Sequence, residues 1–98
     1  MYSKAESQVG GCMVAYARRN RSGVNRLGIT VSTKVGNAVT RNRARRRLKE
    51  CYRLHETAFR PGYDIVFVAR TRAVHIPFDK MKIEMLALCR KLGLVQPL

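Results

Sequence analysis

Acidic residues are scarce in this chain, and their scarcity limits the chemistry that the polypeptide can perform. Only six aspartates and glutamates stand among 98 residues, against twenty lysines and arginines. The acids are scattered without paired spacing, so a carboxylate cage for two metal ions is not expected. A metal-free nuclease would use two histidines as general acid and base. The chain has only His55 and His75, and we expect His55 to be structural. Catalysis by the polypeptide itself is therefore not expected.

Long apolar runs and paired cysteines are missing as well. No run approaches the roughly 20 consecutive apolar residues that a membrane-spanning helix needs, and the start MYSKAESQVGG lacks the apolar segment of a secretory signal. The three cysteines, Cys12, Cys51 and Cys89, are odd in number and widely spaced. That pattern fits neither a disulfide framework nor a zinc site. We expect buried thiols and a cytoplasmic protein.

Positive charge is what the chain has in excess. Its formal net charge is +14, which predicts a phosphate-rich partner or an anionic membrane. Because 46% of the residues are hydrophobic, the chain is not a disordered basic tail. Its length, without repeats or linkers, predicts a single domain over residues 1–98 with one core.

The basic residues are densest between Arg41 and Arg53, where six arginines and one lysine occur. On a helix, such like charges repel one another by a few tenths of a kcal/mol per pair. The planar guanidinium of arginine fits phosphates and base edges. These properties favour a helix that binds nucleic acid over a merely solvated charged face.

Apolar alternation predicts strands over residues 12–18 and 26–32, and the turn-forming residues between them indicate a hairpin. Residues 64–70 are apolar in consecutive positions, which is typical of an interior strand covered on both faces. With two helices, the predicted order is strand, strand, helix, strand, helix. We therefore expect a small α/β (α+β) sandwich.

The first helix is predicted over residues 38–57, with Asn37 as its N-cap. Its core-facing stripe comprises Ala44, Leu48, Cys51 and His55, with Tyr52 at the edge. A second helix is predicted to be capped by Asp79 and ended by Gly93. Its stripe comprises Met81, Met85, Leu88 and Leu92.

Tyr16, with Val14 on the same face of its strand, allows two interpretations. A tyrosine on a strand is usually part of the core. Near an arginine-rich helix it is also a platform on which an unpaired base can stack. The sequence leaves both possibilities open.

The segment KVGNAVTRNR (34–43), followed by Arg45 and Arg46, resembles the RNR motif of the bacterial ribonuclease P protein component. The strands LGITVS and YDIVFVAR also resemble the family's flanking elements, and the resemblance covers about residues 9–92. Two departures are visible. Ala44 stands where the family has a bulky aliphatic residue. Family members usually begin with an N-terminal helix that carries phenylalanines, and from the opening MYSKAES we expect most of that helix to be absent.

The resemblance implies a protein subunit of ribonuclease P that assists RNA-catalysed removal of the 5′ leader from precursor tRNA. It implies a left-handed crossover from strand through the RNR helix to a parallel strand, although crossovers are usually right-handed. It implies no protein catalytic residue, no organic cofactor, and Mg²⁺ bound chiefly by the RNA subunit. The expected partners are the catalytic RNA and precursor tRNA, with no membrane and no obligate protein partner.

The resemblance also implies two sets of site residues. Those expected to contact RNA on the helix are Arg41, Asn42, Arg43, Arg45, Arg46, Lys49 and Arg53. Those expected to line a leader cleft between the helix and the sheet are Val14, Tyr16, Lys34 and Ala38. The alternative is a general structural RNA-binding protein of the ribosomal-protein or RNA-chaperone type. A helix-turn-helix DNA-binding protein is disfavoured because strands flank the basic helix on both sides.

Overall fold

The computed structural model describes residues 6–95 and shows a four-stranded sheet with two helices on one of its faces. The strands are β1 (Glu6–Val9), β2 (Met13–Arg19), β3 (Arg26–Val31) and β4 (Tyr63–Ala69). The helices are α1 (Ala38–His55) and α2 (Phe78–Lys91). The expected α+β architecture is confirmed. Strand β1 was not expected, because it is short and largely polar and lies at an edge of the sheet.

None of the helices in this part of the chain combines the length and apolarity needed to cross a membrane.

The predicted hairpin of β2 and β3 is wrong. The strand order is β1-β2-β4-β3, so β4 lies between them, antiparallel to β2 and parallel to β3. The connection does contain local turn bonds, since Ser22 N–H donates to Asn20 Oδ1 at 3.0 Å. Turn chemistry of this kind reverses the chain without requiring that the flanking strands pair. The parallel pair β3 and β4 is joined through α1, as the resemblance implies.

Both helices contact the sheet through the predicted stripes. In α1 the buried residues are Ala44, Leu48, Cys51 and Tyr52, and in α2 the predicted Met81, Met85 and Leu88 are buried, with Leu92 buried just beyond its end. His55 is only half-buried, and its Nδ1 lies 2.9 Å from the carbonyl oxygen of Cys51. That contact within the last turn of α1 fits a structural histidine.

The start of α1 is fixed by two residues. The side chain of Asn37 accepts a hydrogen bond from Thr40 N–H at 2.9 Å, which confirms the predicted N-cap. Gly36 has a φ of 155°, and a Cβ there would lie 2.8 Å from Thr40 Cγ2. Only glycine fits this position, so the turn into the basic helix depends on it.

The predicted cap of α2 is wrong. Pro77 occupies the N-cap position, and Asp79 lies in the first turn. An acid there interacts favourably with the helix dipole without capping a backbone N–H. The end of the helix is as predicted, since Gly93 follows it with a φ of 77°.

Strand β4 is interior, as predicted, but helices cover only one of its faces. Ile65, Phe67 and Ala69 are buried against the helices, whereas Val66 and Val68 on the other face are half-buried. The consecutive apolar residues therefore mark an uncovered apolar surface within the described residues, rather than a second buried layer.

All three cysteines are buried and free, which confirms the prediction. Burial and then a hydrogen bond to Glu84 raise the pKa of the Cys12 thiol to about 12. The same Glu84 carboxylate accepts from the backbone N–H groups of Gly11 and Cys12, both at 2.9 Å. This residue thus ties the turn between β1 and β2 to α2.

Candidate nucleic-acid interface

Helix α1 presents a strongly basic face to solvent because its apolar stripe is turned toward the sheet. The exposed members of the predicted set are Asn42, Arg43, Arg45, Arg46, Lys49 and Arg53. Arg41 is half-buried, and its Nε has no hydrogen-bond partner among the described residues. We call these seven residues the basic face. The opposite side of α1 is anchored in the core, so the basic face is rigidly held.

Arg47 belongs to the same arginine run but has a different role. It is half-buried, and its guanidinium donates to the carbonyl oxygens of Ala73, at 2.7 Å, and Ile76. These acceptors lie 26 and 29 residues away in sequence. Local charge patterning therefore could not separate this structural arginine from the exposed ones.

The acidic residues neutralise little of the basic face. Arg53 pairs with Glu50, and their Nε and Oε2 atoms are 3.0 Å apart. The hydrogen bond from Arg53 holds the pKa of the Glu50 carboxyl below its usual range. Arg43, Arg45 and Arg46 have no acidic partner among the described residues. An exposed pair such as Arg53–Glu50 exchanges readily for a phosphate, because it contributes little stability.

The face of the sheet opposite the helices, which we call the open face, carries three cross-strand rows. From β2 through β4 to β3 they are Val14–Val68–Thr30, Tyr16–Val66–Gly28 and Arg18–Asp64–Arg26. Tyr16 is 40% exposed there. This exposure excludes the core interpretation and leaves the ring available to a ligand.

A hollow of about 400 Å³ lies beside Tyr16 on the open face. Its lining includes Tyr16, Val66, Gly28 and the arginines of the third row, Arg18 and Arg26. Because Gly28 has no side chain, the floor of the hollow is apolar and is bordered by the Tyr16 ring and Val66. Arg18 and Arg26 place positive charge at one end of this floor.

The four predicted cleft residues do not lie between the helix and the sheet. Val14 and Tyr16 are on the open face, whereas α1 packs on the other face. Lys34 lies in a short 3₁₀ turn after β3, and Ala38 is the first residue of α1; both are exposed. These four residues therefore do not line a cleft between α1 and the sheet. The hollow that does lie between the helix and β3, of about 430 Å³, is lined by other residues: Asn25, Leu27, Lys49, Tyr52, Arg53 and Glu56. The contact of the four predicted residues with a leader stays a prediction. The basic face and the open face point to opposite sides of the domain.

Residues 1–93 match the model of the ribonuclease P family. The chain belongs to the ribonuclease P protein family. It is thus a protein component of ribonuclease P, the holoenzyme that cleaves precursor tRNA.

The similarity extends over most of the chain. The ribonuclease P protein component of Clostridioides difficile is 46% identical over 79 residues, which are 80% of this chain and 69% of the relative. That of a Thermoanaerobacter species is 41% identical over 98 residues, 100% of this chain and 81% of the relative. The structure of the ribonuclease P protein of Thermotoga maritima is similar with a TM-score of 0.79 and 28% identity, covering 89% of this chain and 84% of that one.

Proposed function

We propose that the chain binds the catalytic RNA of ribonuclease P through the basic face and the 5′ leader of precursor tRNA across the open face. The observation that carries this proposal is the presence of two chemically different surfaces on opposite sides of one small domain. One surface is rich in guanidinium groups, and the other combines an exposed aromatic ring with flanking arginines.

The basic face suits a folded RNA because its charge is held in place before binding. The N-cap at Asn37 and the hydrogen bonds of Arg47 fix the helix at its start and along one side. Exposed guanidinium groups can then donate in pairs to phosphate oxygens. Counterion release from the RNA favours such binding.

The open face suits a single strand because its apolar surface can contact base faces that a duplex would hide. Tyr16 and Val66 offer that surface, and stacking on an aromatic ring tolerates any base. Lys34 and Ala38, beyond the end of β3, would contact the strand as it approaches α1.

The chemistry is assigned to the RNA subunit. Among residues 6–95, no group of three or more histidines, cysteines or acids is placed to hold a metal ion. Mg²⁺ would be bound chiefly by the RNA. We also propose a cytoplasmic location, no organic cofactor and no obligate protein partner.

Arg43→Ala and Arg46→Ala should each weaken binding of the catalytic RNA while the melting temperature stays close to that of the wild type. Each loss of a phosphate contact should reduce the slope of log affinity against log salt by about 0.7–0.9. Filter binding across a salt series measures this slope. Arg60→Ala, which removes an exposed arginine outside α1, is the control and should keep the wild-type slope. Unchanged slopes for both α1 variants would exclude the basic face as a phosphate-binding surface.

Tyr16→Ala should weaken binding of leader-bearing precursor tRNA to the reconstituted holoenzyme by roughly 1–3 kcal/mol, if the ring stacks on a leader base. Affinity for leaderless tRNA and for the catalytic RNA should hardly change. Tyr16→Phe keeps the ring and should retain most of the affinity. An equal loss for both tRNA forms would remove Tyr16 from the leader site.

A further inference from the structure

The third row of the open face is an ion-pair cluster with an acid at its centre. Asp64 Oδ1 accepts from Arg26 Nε at 3.1 Å and from Asn20 Nδ2 at 2.9 Å. Arg18 approaches the other carboxylate oxygen at 3.6 Å. The register places Asp64 directly opposite Arg18 on β2 and Arg26 on β3. One carboxylate thus holds two guanidinium groups, one from each neighbouring strand.

The arginines keep most of their surface in solvent. Their side chains are 58% and 73% exposed, whereas that of Asp64 is 20% exposed. A guanidinium has five N–H donors, and each arginine uses only part of this set on Asp64. The remaining donors are available to an anion. Exposed ion pairs contribute little to folding, so stability alone gives no reason for this arrangement.

The cluster also lies in line with the aromatic ring. Tyr16 and Arg18 are two residues apart on β2 and point to the same face, about 6.7 Å apart along the strand. Both arginines, Asp64 and Tyr16 line the same hollow. A nucleotide with its base against Tyr16 would therefore have a phosphate of the same strand within reach of this row.

We propose that Arg18 and Arg26 bind a backbone phosphate of the single strand that crosses the open face, and that Asp64 is a positioning residue that fixes both guanidinium groups. The proposal rests on the proposed function, since it requires that the leader lies on this face. It assigns the leader a path from Lys34, past Tyr16, to the end of the sheet where Asn20 and Asp64 lie. Only a leader long enough to pass Tyr16 reaches the row.

The test is the affinity of the reconstituted holoenzyme for precursor tRNAs with a series of leaders of increasing length. Arg26→Ala and Arg18→Ala should each weaken binding of long leaders by about fivefold and leave short leaders and leaderless tRNA unchanged. Arg19→Ala is the matched control. It removes the same charge from the next residue of β2, whose side chain points to the other face. The affinity for long leaders and the affinity for short leaders should both stay at the wild-type value.

Asp64→Asn distinguishes a positioning role of Asp64 from an effect of its negative charge on the net charge of the protein. The substitution raises the net charge by one unit, so an effect of overall charge alone would tighten RNA binding. If Asp64 positions the arginines, the variant binds long leaders more weakly, by about as much as Arg26→Ala, although it is more positive. A thermal melt verifies that the variant is folded.

Three outcomes would overturn the proposal: tighter binding by Asp64→Asn, equal effects of Arg26→Ala and Arg19→Ala, or a loss independent of leader length. If Tyr16→Ala shows a leader-dependent loss of affinity and Arg26→Ala does not, the proposed phosphate site in the third row is excluded. The proposed leader site at Tyr16 would be retained. If the wild-type holoenzyme does not distinguish leader-bearing from leaderless tRNA, the leader site fails as well.

Discussion

Replacing Leu48 by alanine should lower the free energy of unfolding by about 2–5 kcal/mol. Leu48 is 0% exposed and lies in the middle of the stripe by which α1 packs on the sheet. Truncation removes buried methyl groups and leaves a cavity that a close-packed core cannot fully close. Urea denaturation of both proteins measures the difference.

Leu54 offers a matched control on the same helix. It is 49% exposed, and Leu54→Ala should change stability by no more than about 0.5 kcal/mol. Comparable losses for the two variants would mean that the orientation of α1 is different from the one described. That result would also place some of the basic-face arginines against the sheet.

The protein without RNA should show no cleavage of precursor tRNA, so removal of the catalytic RNA should abolish activity completely. Among residues 6–95, no group of three or more histidines, cysteines or acids is placed to hold a metal ion. The two histidines also differ in setting: the half-buried His55 contacts the backbone of α1, whereas His75 is exposed after a 3₁₀ turn. Cleavage assays with purified protein, with RNA and with both components give the comparison.

Addition of the protein to the RNA should lower the Mg²⁺ concentration needed for half-maximal cleavage, because its cations offset phosphate repulsion. Nuclease-treated protein that still cut precursor tRNA at the mature 5′ end would contradict this assignment. An inactive wild-type mixture would instead indicate that the RNA is not its partner.

The two long helices could be predicted from the sequence because their information is local. Asn37 capped α1 as expected, and the buried positions followed the helical period. Asp79 was misplaced because an acid favours both the cap and the first turn of a helix. His55 was placed on the stripe, but the stripe is less buried toward the end of the helix.

The pairing of the strands could not be predicted from the residues alone. Strands β2 and β3 are adjacent in sequence and each has the expected alternation, yet both pair with β4. Alternation reports that a strand has one buried face; it does not report which strand lies beside it. The motif resemblance, which implied a parallel pair around the basic helix, carried the information that periodicity lacked.

The same limit applies to the candidate sites. Exposure of the arginines in α1 followed from the helical period, but the bonds of Arg47 to Ala73 and Ile76 depend on tertiary packing. The row of Arg18, Asp64 and Arg26 becomes visible only when the register of three strands is known. Each of these residues alone is an ordinary charged residue near a strand end.

The central position of β4 constrains the order in which the domain can fold. Both β2 and β3 have β4 as a partner, and β4 begins only at Tyr63, after α1 is complete. During synthesis, which proceeds from the N-terminus, the only described strand pair available before that point is β1 with β2. The arginine-rich helix therefore leaves the ribosome ahead of the strand that completes the sheet beneath it. Long-range pairing of this kind is slow compared with helix formation, so the basic helix can acquire its local structure before β3 and β4 complete the sheet.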